Sequence, residues 1–313
     1  MTVVFFAARA TRGLPMRLSP FARIGRRVVV TTGALLLATA VAASPFAAAV
    51  PVTGTLYVTE NGTGSVLSLP AAGGTPTAIA TGIDGPGGIA AAHDTLFVTA
   101  GASVVSVPAA GGTPTTLATG LGNAFDVAVS GGTLFVTEFD AGSVVSLPAT
   151  GGTPTPVVTG LEQPVGVAVS GGTLYVTLAG DASPGSGSVI SVPVAGGTPT
   201  TLATGLTLPA GIDVSGTTLY VAVAGDGSVV ALPAAGGTPT VLTTGLTRPF
   251  GLTVSDGAVY VAVAGDTGAG NGSVVSLPAT GGSPTVLAAG LDEPFSVAAE
   301  SHCTGSLCIP FGS

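Results

Sequence analysis

Three features of the sequence predict an all-β fold, a six-bladed β-propeller of four-stranded antiparallel blades. A GG[TS]PT signature recurs with its proline at Pro76, Pro114, Pro154, Pro199, Pro239 and Pro284. The steps between prolines are 38, 40, 45, 40 and 45 residues, a period that marks a repeat architecture. Each period holds four short β-compatible runs, and the two chain ends carry complementary fractions of one repeat.

The clearest copy runs from Pro164 to Leu206. Its runs are Gly166-Val169, Thr173-Thr177, Ser188-Val192 and Thr200-Ala203, here called A to D. Each is β-branched or apolar and bounded by Gly, Pro or Ser-Gly, which reads as a strand between turns. Ser170-Gly171-Gly172 between A and B is a hairpin signal. Gly196-Gly197-Thr198-Pro199 separates C from D, so D opens with a proline. Proline cannot donate to a ladder, which places D at an edge and discourages pairing with another chain. Four strands with one edge describe a propeller blade.

The two 45-residue steps come from B–C loops longer by five, Leu178-Ser188 and Val263-Ser273. Insertions confined to one loop class map to one face. The first copy lacks strand A and opens at Thr55-Leu56-Tyr57-Val58. The last ends on Pro294-Phe295-Ser296-Val297-Ala298-Ala299, a strand A with nothing after it. The C-terminal A is therefore expected to complete the N-terminal blade and close the ring.

Residues 1–49 read as a secretory signal. Arg23, Arg26 and Arg27 precede an apolar run, 28–43, and small residues ending Ala47-Ala48-Ala49. The run is short for a membrane anchor, and cleavage is expected before Val50. Arg26-Arg27 matches a twin-arginine signal in part, which leaves the export route open. Met16 is an alternative start, making 1–15 a possible extension. The ring is expected over 50–300, with a tail at 301–313. That tail holds the only cysteines, Cys303 and Cys308, whose even, local spacing in an exported chain reads as a disulfide. Asn61-Gly62-Thr63 and Asn271-Gly272-Ser273 match glycosylation sequons but read first as turns.

After residue 49 the only Lys or Arg is Arg248, against all 15 Asp and Glu. One cation cannot displace the counterions of a nucleic acid, nor hold an anionic membrane. The expected product is a secreted monomer without nucleic acid or membrane partners.

The strand pair P-x-G-V-A-V-x-x-G-x-L-Y-V resembles the NHL repeat and its relatives among six-bladed, TolB-like propellers. The match is specific at Pro164-Val165-Gly166-Val167-Ala168-Val169 with Leu174-Tyr175-Val176, and at Pro249-Phe250-Gly251 with Tyr260-Val261. It departs after strand B, where the Asp and Arg common in NHL repeats are missing. The resemblance implies the fold; function depends on sites grafted onto it. In the similar gluconolactonase-like family, a divalent cation in the channel is held by oxygen ligands, several of them opening strand A. The corresponding positions here are Gly87, Phe125, Val165, Ala210, Phe250 and Phe295, all apolar or Gly, whereas a hard cation needs oxygen. Streptogramin-lyase-like relatives imply a histidine and a carboxylate for proton transfer. His93 falls in an A–B turn and His302 in the tail, away from the B–C/D–A face.

What varies against the repeat lies in the D–A and B–C loops, which share one face. Glu60, Asp84, Asn123, Glu138, Gln163, Arg248 and Glu293 are the candidate binding residues. Solvation alone also explains polar loops. Asp126 and Asp213 replace Gly and Ala of strand A near the axis, where a carboxylate must be hydrated or paired. Channel water is the expected partner. The leading function is a non-catalytic scaffold binding a protein, peptide or glycan through the B–C/D–A face, with no cofactor. The alternative is a lactonase- or lyase-type enzyme with a divalent cation such as calcium near Asp126, Asp213 or Glu138.

Overall fold

The computed structural model describes residues 54–300, apart from 182, 267 and 268. The signal expected over 1–49 and the cysteine tail lie outside the described residues.

Twenty-four strands form six separate four-stranded antiparallel sheets. Blade 1 combines β1 (Thr55–Glu60), β2 (Ser65–Pro70) and β3 (Thr77–Thr81) with the last strand of the chain. Blade 2 is β4 (Pro86–Ala92), β5 (Thr95–Ala100), β6 (Ser103–Pro108) and β7 (Thr115–Thr119). Blade 3 is β8 (Ala124–Ser130), β9 (Thr133–Glu138), β10 (Ser143–Pro148) and β11 (Thr155–Thr159). Blade 4 is β12 (Pro164–Ser170), β13 (Thr173–Leu178), β14 (Gly187–Pro193) and β15 (Thr200–Leu206). Blade 5 is β16 (Pro209–Ser215), β17 (Thr218–Val223), β18 (Ser228–Pro233) and β19 (Thr240–Thr243). Blade 6 is β20 (Pro249–Ser255), β21 (Ala258–Val263), β22 (Gly272–Pro278) and β23 (Thr285–Leu291). The closing strand, β24 (Pro294–Ala299), pairs with β1, as the permuted ends predict.

Strands run slightly longer than the sequence expectation, because Pro164 and Ser170 also join the A–B ladder. In every blade, strand A is innermost and D is the outer edge. The core is divided among the gaps between blades. Leu56, Val58, Leu67 and Leu69 of blade 1 pack against Tyr260, Ala262, Val274 and Ala288 of blade 6. The other five gaps are filled in the same way. A blade is apolar on both faces and is stable only between neighbours.

Strand A carries a bulge near its start. In blade 4, Pro164 pairs with Leu178 and Val167 with Val176, so Val165 and Gly166 together oppose Thr177. The extra residue leaves a main-chain N–H without a ladder partner, and a buried threonine supplies it. The Thr177 hydroxyl accepts from Gly166 N at 2.7 Å and donates to Ala210 O of blade 5 at 2.5 Å. Thr137 does the same between Asp126 N and Val165 O, at 2.9 and 2.6 Å. Thr59 accepts from Ser296 N at 3.0 Å and donates to Gly87 O at 2.6 Å. Thr99 donates to Phe125 O at 3.1 Å. These hydroxyls tie four of the six blades to the next. Ala222 and Ala262 stand at the same place in blades 5 and 6.

Thr137→Val keeps the shape but leaves Asp126 N and Val165 O unsatisfied. Two such groups at about 1–3 kcal/mol each should lower the melting temperature by at least about 5 °C in a domain this size, read by thermal denaturation. Tyr260 shows the converse. It is 1% exposed, and its hydroxyl is buried without a partner among the described residues. Phe97 and Phe135 occupy the same strand-B position without a hydroxyl. Tyr260→Phe is therefore expected to be neutral or to stabilise by up to about 1 kcal/mol, and a clear loss of stability would contradict this account.

Candidate functional site

The two loop classes meet at one end of the ring, and main-chain bonds lock them together. Phe139 N donates to Asn123 O at 2.9 Å, Ala179 N to Gln163 O at 3.0 Å, and Ala264 N to Arg248 O at 3.0 Å. The B–C and D–A loops therefore share a face, as expected. The residue just before strand A is left-handed in all six D–A loops. Only one of the six is glycine, Gly85. The others are Asn123, Gln163, Leu208, Arg248 and Glu293, with φ between 51 and 60°. Such a conformation costs an ordinary L-residue about 1–2 kcal/mol. The A–B turns, at the opposite end, mostly meet the same requirement with glycine, as at Gly131, Gly171 and Gly216. Five side chains are thus held on one face despite a backbone that favours glycine.

Inside this ring of loops the bulges aim the second residue of strand A at the axis. Phe125, Phe250 and Phe295 meet there. Phe295 lies 5.1 Å from both Phe125 and Phe250, centroid to centroid, and Phe125 stacks on Phe139 at 5.4 Å. Val165 and Ala210, at the same strand-A position, pack with Phe125, Phe139 and Phe250. The Arg248 guanidinium sits 5.4 Å over the Phe250 ring, within cation–π range, and its Nη1 donates to Gly265 O at 3.5 Å. All four phenylalanines are half-buried, so the channel mouth presents an aromatic patch rather than an open pore. In sequence these positions show only that metal ligands are missing. The signal was the run of Phe at one repeat position, Phe125, Phe250 and Phe295.

The remaining candidate residues divide. Asp84 and Asn123 are exposed on this face, and Gln163, Arg248 and Glu293 are half-buried there. Glu60 and Glu138 correct the expectation: each is 8% exposed and turned inward. Glu60 Oε1 accepts from Asp292 N at 2.7 Å, and its Oε2 accepts from Thr63 Oγ1 at 2.5 Å. Glu138 Oε1 accepts from Gly122 N at 2.9 Å, and Ser143 Oγ donates to its Oε2. Both carboxylates pin a D–A loop to the end of strand B, which is structural work. His93 is exposed in an A–B turn, as expected.

Beyond the phenylalanines the channel widens to a cavity of about 290 Å3, lined by the later half of each strand A and containing Asp126 and Asp213. Main-chain donors hold both. Asp126 Oδ1 accepts from Val127 N at 2.9 Å and Oδ2 from Val167 N of blade 4 at 3.0 Å. Asp213 Oδ1 accepts from Val214 N at 2.7 Å, and Oδ2 accepts from Val254 N of blade 6 at 2.8 Å and from Thr253 Oγ1 at 3.1 Å. Each carboxyl bridges two blades. Burial pushes Asp126 up to about 7, against the pull of its two N–H donors and helped by the charge of Asp213. Burial also raises Asp213. Among the described residues no three His, Cys, Asp or Glu side chains converge as metal ligands would, and no helix is long and apolar enough to cross a membrane.

The chain is thus a six-bladed β-propeller whose loop face carries an aromatic centre and a polar rim. No family model matches it, and no curated protein does. Among solved structures it is similar to a chain in the crystal structure of a nidogen/laminin complex. The TM-score is 0.67 and the identity 20%, covering 78% of this chain and 97% of that one. Likeness at that identity concerns the fold alone.

Proposed function

We propose that this is a secreted, non-catalytic propeller of the NHL-repeat, TolB-like kind that binds a protein through its B–C/D–A loop face, without a cofactor. The observation that carries the reading is the half-buried cluster of Phe125, Phe139, Phe250 and Phe295 inside a rim of Asn123, Gln163, Arg248 and Glu293. An apolar aromatic centre with a polar rim is the anatomy of a binding surface. The backbone conformation of the rim residues adds weight, since side chains retained against a preference for glycine suggest use. A protein is favoured over a free peptide or a glycan because the similar solved chain comes from a protein–protein complex. The two channel carboxyls support the non-catalytic reading, since N–H donors engage both oxygens of each.

Arg248→Ala and Glu293→Ala should each weaken capture of a surface protein from the producing cells about tenfold while leaving the melting temperature within a few degrees. A variant in the Ala72-Gly73-Gly74 turn should bind like the parent if it folds. Loss confined to the turn variant would move the binding face to the opposite end of the ring.

A further inference from the structure

Strands C and D and the turns between them build the outer part of every blade. The segments 70–83, 108–121, 148–161, 193–206, 233–246 and 278–291 contain no Asp, Glu, Lys, Arg or His. The charges of this acidic chain lie in the loops, the A–B turns and the channel. Yet strand D is an outer edge in all six sheets, and beyond the proline that precedes it, it carries among the described residues neither the charge nor the covering element that edges commonly have. Val241 and Val286 stand 57% and 60% exposed on two of these edges.

The uncharged rim has one repeated polar feature. The C–D turn places its second glycine against the preceding blade, as where Gly112 N donates to Ile79 O at 3.0 Å. A Cβ at the first glycine, Gly111, would lie 2.9 Å from that same oxygen. The chain then runs through [ST]-Pro-Thr at 75–77, 113–115, 153–155, 198–200, 238–240 and 283–285. In all six copies the hydroxyl residues before and after the proline are exposed. Among the described residues none of these side-chain hydroxyls has a hydrogen-bond partner. Proline holds such a segment extended and offers no N–H to compete for the hydroxyl oxygen. Ser/Thr-rich, proline-containing surface is the composition of O-glycosylated chains.

We propose that the six [ST]-Pro-Thr segments are O-glycosylation sites, and that sugars supply the solubilising cover the uncharged rim lacks. The co-reactant is a sugar activated on a phosphate. The threonine Oγ1 attacks the anomeric carbon, the C–O bond to the phosphate breaks, and the phosphate leaves with its electron pair. The hydroxyl proton passes to the transferase. The inference rests on export of the chain and is independent of any partner on the loop face.

The test is the intact mass of the protein recovered from the medium and envelope of its producing cells, followed by chymotryptic peptide mapping. The expected result is a ladder of masses spaced by one sugar residue, with the sugars placed on the [ST]-Pro-Thr peptides. Thr153→Ala with Thr155→Ala should delete the increments of that one blade without changing the melting temperature. A single species at its sequence mass, or sugars confined to Asn61 or Asn271, would overturn the proposal. An unmodified chain still carrying Arg26 and Arg27 would overturn it too, and the same spectrum would assign the failure to export.

Discussion

Removing residues 291–313 is expected to abolish the folded ring. The cut deletes β24, the partner on the inner side of β1, from Leu56↔Ala299 to Glu60↔Pro294. It also removes Val297 from the core between blades 6 and 1 and Ala298 from that between blades 1 and 2. Glu60 loses the Asp292 N–H and Thr59 loses Ser296. Several buried groups left unsatisfied at about 1–3 kcal/mol each, together with two opened cores, exceed the roughly 5–15 kcal/mol that holds a typical domain. The truncated chain should be aggregated, or unfolded by circular dichroism at room temperature. A control ending at Glu300, which lacks only the cysteine tail, should melt close to the full-length protein. A truncated chain that melts like the parent would mean that the ring closes without β24.

The second large effect is on pH. Asp126 ionises near 3.8 in the unfolded chain and at about 7 in the fold. The folded state therefore holds the proton more tightly. Its stabilisation is complete below the unfolded value and is lost as pH rises through about 7. For one group displaced this far the difference between the two limits is on the order of 4 kcal/mol, or about 8–16 °C in melting temperature. Burial raises Asp213 as well, so its effect has the same sign. The protein should melt higher at pH 5 than at pH 8. Asp126→Asn, which cannot ionise, should flatten that slope and narrow the gap at pH 8. A slope unchanged in the variant would mean that Asp126 is not its source.

Period, turn chemistry and the permuted ends made the architecture readable from sequence, because each rests on local patterning repeated six times. The shared loop face was readable for the same reason. The bulge was not, since two residues opposing one depends on the neighbouring blade. Its threonine left a trace, however. Strand B reads TLYVT or TLFVT in blades 1, 3 and 4 and TLFVT in blade 2, whereas blades 5 and 6 end in alanine. The inward turn of Glu60 and Glu138 was hidden because a carboxylate at a strand end looks the same whether it faces water or caps a loop N–H. The partners of Asp126 and Asp213 lie some 40 residues away in the next blade, at a distance sequence alone does not register.

Strand β12 offers the most direct test of the loop face as the binding surface, because its two ends reach opposite faces of the ring. In a background lacking Cys303 and Cys308, a single cysteine at Glu162 or at Ser170, both exposed, can be capped with a bulky polymer. Retention on the producing cell's envelope is then measured for each. The polymer at position 162 is expected to abolish retention, and the polymer at 170 to leave it intact. Retention lost only with the polymer at 170 would contradict the account.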